Sequence, residues 1–142
     1  MCVKEWKRIA EWEALHYRER KSFLKGFADA AGEPTARAVQ YRRWVGAVEN
    51  VRALLKRTDP EKERFFGLMY GLDGGRKLYD KKGLLSLTFS FHASLSSLYQ
   101  WRNEVLSLLL IAAAETGALK PFSSETDRQK GRKDRPDPRT RS

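Results

Sequence analysis

Ser94, Ser96, Ser97, Tyr99, Gln100 and Asn103 crowd into one short stretch of the chain, with His92 just ahead of them. Hydroxyl and carboxamide groups both donate and accept hydrogen bonds, so such a stretch can match a pattern of donors and acceptors. Nucleophilic chemistry is the other use of these residue types, with a serine attacking and His92 as its base. A serine nucleophile needs a base oriented towards it, and no strand-to-helix elbow is present to provide that orientation. Helix capping and polar contact explain the serines better. His16 and His92 are the only histidines, and they stand far apart with no cysteine or carboxylate cluster beside them, so no metal site is expected. The run from Gly71 to Lys77 lacks the spacing of a Walker loop and reads as an ordinary helix-ending loop. These residues point to recognition; neither an enzyme nor a cofactor is expected.

Recognition requires a rigid element that turns the polar stretch outward. Leu84, Leu87 and Phe91 fall three and four apart, as on the buried face of a helix, and Thr88 offers a fairly small side chain where a second helix would cross. Ala93 can plug a turn, Ser94 can cap the next helix, and Leu98 and Trp101 can face inward from it. This is the pattern of a helix-turn-helix, whose second helix lies in the major groove of duplex DNA. By elimination, Ser94, Leu95, Ser96, Ser97, Tyr99, Gln100 and Asn103 lie on or near the outward face. Gln and Asn can pair with N6 and N7 of adenine, and Ser can meet bases or phosphates. Arg76, Lys77, Lys81, Lys82 and Arg102 can grip flanking phosphates. One pattern competes: Leu85, Leu87, Phe89 and Phe91 alternate with Ser86, Thr88, Ser90 and His92, as in a strand. A lone strand has no partner to pair with, so the helix is preferred, and it sends Phe89 towards solvent or a neighbouring helix.

The rest of the chain reads as helices that carry this unit. Trp6, Ile9, Trp12, His16, Phe23, Leu24 and Phe27 recur at helical spacing and predict one amphipathic helix over Val3 to Ala31. Gly32, Glu33 and Pro34 interrupt it. A second helix is expected from Pro34 to Arg57 on the stripe of Val39, Val45, Val48, Val51, Leu54 and Leu55. Thr58 or Asp59 can cap a third, with Pro60 in its first turn and Phe65, Phe66, Leu68, Met69 and Tyr70 along it. A long helix follows from Leu95 to Glu115 and ends at Gly117. Trp6, Trp12 and Trp44 read as core or subunit contacts, in preference to platforms for stacked bases.

The expected fold is therefore all-α, with two long N-terminal helices, a C-terminal helix-turn-helix domain and a disordered basic tail. Its boundaries fall at 1–57, 58–120 and 121–142. The long N-terminal helices suit a homo-oligomer, and a dimer would set two recognition helices about one DNA turn apart.

Charge agrees with a polyanionic partner. Lys and Arg number 28 against 18 Asp and Glu, a formal charge of +10 on 142 residues. Such attraction is blind to base sequence. At 41 % hydrophobic and 11 % aromatic the chain can fill a core, which excludes wholesale disorder. Cys2 is the only cysteine, so no internal disulfide or thiolate cluster can form. The apolar run Leu108 to Ala114 is far short of the ~20 residues that span a bilayer. The chain turns charged at once, so no signal peptide and a cytoplasmic location without membrane contact are expected.

The run Glu63 to Tyr70, followed after a gap by Ser94-Leu95-Ser96-Ser97-Leu98-Tyr99-Gln100-Trp101-Arg102-Asn103-Glu104-Val105-Leu106, resembles the RinA/ArpU-type phage transcriptional regulators. Members of that family end in a domain similar to region four of sigma factors. The resemblance covers about Asp59 to Leu119. It implies DNA-facing roles for Ser96, Ser97, Tyr99, Gln100 and Arg102, with Leu98 and Trp101 structural. It further implies a phage or prophage regulator of late genes that binds double-stranded promoter DNA, with RNA polymerase as a second partner. Leu84 to Phe91 is more apolar than the family's usual charged helix, and His92 replaces its ordinary turn residue. Two alternatives stand beside this one. The first is a DNA-packaging protein like a small terminase; the second is a protein-interaction module such as an anti-repressor, meeting its partner through Leu95, Tyr99 and Phe89.

Overall fold

A computed structural model describes residues 2–28 and 35–119, and within them the chain forms six α-helices and no strand. These are α1 (Val3–Leu15), α2 (Tyr17–Ala28), α3 (Ala36–Thr58), α4 (Pro60–Tyr70), α5 (Lys81–Phe91) and α6 (Leu95–Thr116). The expected break at Gly32 to Pro34, the tail over 121–142 and the side chain of Phe27 lie outside the described residues.

Local signals set most helix ends. Asp59 caps α4 by accepting from the Lys62 N–H at 3.2 Å, with Pro60 in the first turn, whereas the Thr58 hydroxyl donates back to the Leu54 carbonyl. Asp80 caps α5 in the same way through the Gly83 N–H. Ser94 caps α6, its Oγ accepting from the Ser97 N–H at 3.1 Å. Gly71 and Gly117 end α4 and α6 in left-handed conformations that an L side chain adopts only with strain. His92 ends α5 at φ 50° without being glycine, and Ala93 and Ser94 complete a three-residue turn into α6.

The single helix expected over Val3 to Ala31 is corrected to two helices. The chain leaves helical geometry at His16, whose imidazole Nδ1 lies 2.8 Å from the Trp12 carbonyl oxygen. The reason lies in tertiary packing: α1 packs against α6, whereas α2 packs against α3, so one straight helix cannot serve both. The N-terminal part therefore contains three helices, of which only α3 is long. The buried face of α1 and α2 is also different from the aromatic stripe. Ala10, Ala14 and Tyr17 are buried, and Trp12 remains 55 % exposed, stacked on His16 with ring centroids 4.1 Å apart. Small alanines let α1 approach α6 closely, which a stripe of tryptophans would prevent.

One buried cluster runs through all the helices except α2's outer turns, from Ala10 through Val48, Phe65, Tyr70, Leu84 and Leu98 to Ala118. Trp44 belongs to it, while Trp6 is half-buried. Segments 1–57 and 58–119 thus share a core. Where α4, α5 and α6 meet, Phe65, Phe91 and Trp101 stack edge to face, with centroids 5.6 to 5.8 Å apart. Leu84, Leu87, Phe91 and Leu98 are buried as their spacing predicted. Phe89 is 81 % exposed, and Leu85 one turn before it is also exposed. Among the described residues no helix is long and apolar enough to cross a membrane.

Candidate nucleic-acid interface

The inward set of α6, which includes Leu98, Val105, Leu106 and Leu109, anchors the helix and leaves the opposite side of its N-terminal half turned away from the core. Ser96, Tyr99 and Gln100 are exposed on the N-terminal half of α6. The other residues expected to read bases are engaged elsewhere. Ser94 serves as the cap, and its hydroxyl also donates to Ser97 Oγ at 3.0 Å. Leu95 is half-buried against the core. Asn103 is exposed, yet its Oδ1 accepts from Lys7 Nζ of α1 at 2.8 Å.

The cations separate likewise. Arg102 is committed to Glu11 of α1: its Nε and one terminal nitrogen donate to the two carboxylate oxygens at 2.8 and 2.9 Å. The Tyr70 hydroxyl donates to the same carboxylate at 2.6 Å, so Glu11 ties α1 to both α4 and α6. Burial raises the Tyr70 pKa well above its usual value, and the Glu11 charge and hydrogen bond raise it further. For Arg102, burial works to lower the pKa, and the bonds to Glu11 reverse this and raise it. Lys77 pairs with Glu19 at 3.4 Å. Arg76, Lys81 and Lys82 are exposed and have no ion-pair partner among the described residues. Lys81 and Lys82 stand in the first turn of α5, at the positive end of the helix dipole, where cations are unfavourable unless an anion joins them.

The loop carrying Arg76 and Lys77 is fastened from α3. Arg52 donates to both Asp73 carboxylate oxygens at 2.9 and 2.7 Å, and to Glu63 at 3.1 Å. The loop then returns over α5, where Leu78 donates to the Met69 carbonyl and lies against Gly83.

Between α1 and α6 runs a groove of about 600 Å³. Lys4, Lys7 and Arg8 form one wall; Tyr99, Gln100 and Asn103 form the other, and the Glu11–Arg102 pair joins them. Reading for the α5–α6 unit alone missed these α1 residues. Their spacing of three and four was visible as a basic helical face, but nothing local to it said that α6 lay opposite. Among the described residues no cluster of His, Cys, Asp or Glu could hold a metal ion.

No family model, curated protein or solved structure matches the chain.

Proposed function

We propose that the chain binds double-stranded DNA through α5 and α6 and regulates transcription, as a phage or prophage protein acting on late genes. The observation that carries the reading is the exposed N-terminal half of α6, held by a capped three-residue turn and presenting Ser96, Tyr99 and Gln100. A recognition helix contacts base edges with its N-terminal residues, and the carboxamide of Gln100 suits adenine. Arg76, Lys81 and Lys82 supply uncompensated positive charge for phosphates beside it. The resemblance to RinA/ArpU-type regulators supports the same assignment and adds the promoter as target.

Fluorescence anisotropy with the DNA upstream of neighbouring genes, and with random duplex, tests the reading at two salt concentrations. One upstream duplex should bind more tightly, and the preference should persist at the higher salt. Gln100→Ala should cost ~1–3 kcal/mol on that duplex and leave random duplex nearly unchanged. An equal loss on every duplex would remove Gln100 from base reading.

A further inference from the structure

We infer that the groove between α1 and α6 receives the phosphate backbone of one DNA strand, with Lys4 and Arg8 as its phosphate contacts. The inference rests on duplex binding through α5 and α6 and extends that interface to a helix outside the motif. Lys4 and Arg8 are exposed on one face of α1, and neither has an ion-pair partner among the described residues. Glu5 forms no ion pair with either of them, its carboxylate accepting from the Cys2 N–H, and Glu11 is taken by Arg102 and Tyr70. Lys4 also stands in the first turn of α1, where the helix dipole favours anions. The chain thus holds two cations one helical turn apart with no ion-pair partner among the described residues.

The facing wall identifies the anion. Tyr99 and Gln100 line the groove and belong to the face assigned to bases, so the strand whose bases they meet must carry its phosphates past α1. Four residues of helix separate Lys4 and Arg8 by about 6 Å of rise. A DNA strand carries one phosphate per about 3.4 Å of axis, so the two side chains can reach separate phosphates of one strand. Lys7 has a different part. Its ammonium holds Asn103 from across the groove, which makes it a positioning residue for the far wall.

The test compares the full chain with Lys4→Gln/Arg8→Gln, Arg37→Gln/Arg42→Gln and Gln100→Ala. Arg37 and Arg42 are exposed near the start of α3, which packs beside the far end of α6 through Gln40 and Ala118. That end lies about 25 Å along α6 from Gln100. Affinity for the preferred duplex and for random duplex is measured from about 50 to 200 mM salt, with circular dichroism melts to confirm folding. Removing two phosphate contacts should lower affinity on both duplexes by the same factor, roughly tenfold, and reduce the salt slope by about 1.8. Gln100→Ala should change only the preferred duplex, and the Arg37/Arg42 variant should match the parent. An unchanged slope in Lys4→Gln/Arg8→Gln, or an equal fall in the Arg37/Arg42 variant, would overturn the inference and leave duplex binding standing. Binding of the parent to single-stranded nucleic acid alone, or to none, would overturn both.

Discussion

Glu11 accepts three hydrogen bonds, from Tyr70 and twice from Arg102, and its partners lie 59 and 91 residues away in sequence. The carboxylate is 16 % exposed and the guanidinium 27 %, so the pair sits between the surface and buried limits. Removing one member of a buried pair costs ~3–5 kcal/mol, and an exposed pair contributes below about 1. Glu11→Gln should therefore lower the unfolding free energy by about 2–3 kcal/mol in urea titration, and Lys21→Ala at the exposed pair with Glu49 by less than about 1. Equal losses would show that Glu11 is no more than a surface contact. Asp73 tests a second local interaction. The hydrogen bonds from Arg52 hold its carboxyl below the ordinary value of 3.8. A depressed folded-state pKa gives stability that is present above the unfolded value and is lost as pH falls through the folded one. Acid should thus weaken the parent below about pH 4, and Asp73→Asn should flatten that part of the profile. Asp73 is 74 % exposed, so the difference at neutral pH should stay near 1 kcal/mol or below.

Among the elements, α5 depends most on what crosses it. A Cβ added at Gly83 would lie 2.5 Å from Leu78 Cα and 2.6 Å from its carbonyl atoms, so the loop after Gly75 passes directly over this helix. In an exposed helix Gly83→Ala would gain about 1 kcal/mol from propensity. Here the obstacle is backbone, which cannot turn aside as a side chain can, and overpacking of this kind costs ~1–3 kcal/mol. Net destabilisation of up to about 2 kcal/mol is expected in urea titration. A more stable variant would mean that the loop moves freely. The loop's cover on α5 also matters for the proposed interface, since Arg76 stands on the loop and Lys81 and Lys82 begin the helix.

For the whole molecule the consequence is cooperativity. Core residues from α1 and α3 and from α4, α5 and α6 belong to one cluster, and Glu11 and Lys7 cross from the first helix to the last long one. If residues 58–119 folded apart from the first 57, the chain would show two unfolding steps. With a shared core a single transition is expected, with calorimetric and van't Hoff enthalpies equal. Calorimetry alongside circular dichroism checks this, and two resolved transitions would restore an independent boundary near Arg57. The same sharing means that α1 stiffens α6, so the outward face of Tyr99 and Gln100 is presented by a helix braced from α1, α4 and α5.

What the sequence alone determined is what neighbouring residues determine. Asp59 and Pro60, Ser94, and Gly117 mark helix ends through hydrogen bonds and backbone angles spanning a few positions. The spacing of Leu84, Leu87, Phe91 and Leu98 shows a buried face for the same reason, and the absence of any other convincing strand removed the alternating alternative over Leu85 to Phe91. Ser96, Tyr99 and Gln100 could be placed outward because Leu98 and Trp101 had to point in. Tertiary structure decided the rest. The break at His16 exists because α1 and α2 pack on different helices, and the burial of Ala10 and Ala14 ahead of Trp12 reflects how closely α1 approaches α6. Arg102 and Asn103 looked free for DNA because nothing within a helical turn of them is Glu11 or Lys7. Those partners arrive from 91 and 96 residues away, a distance over which periodicity carries no information and only the folded chain can bring charges together.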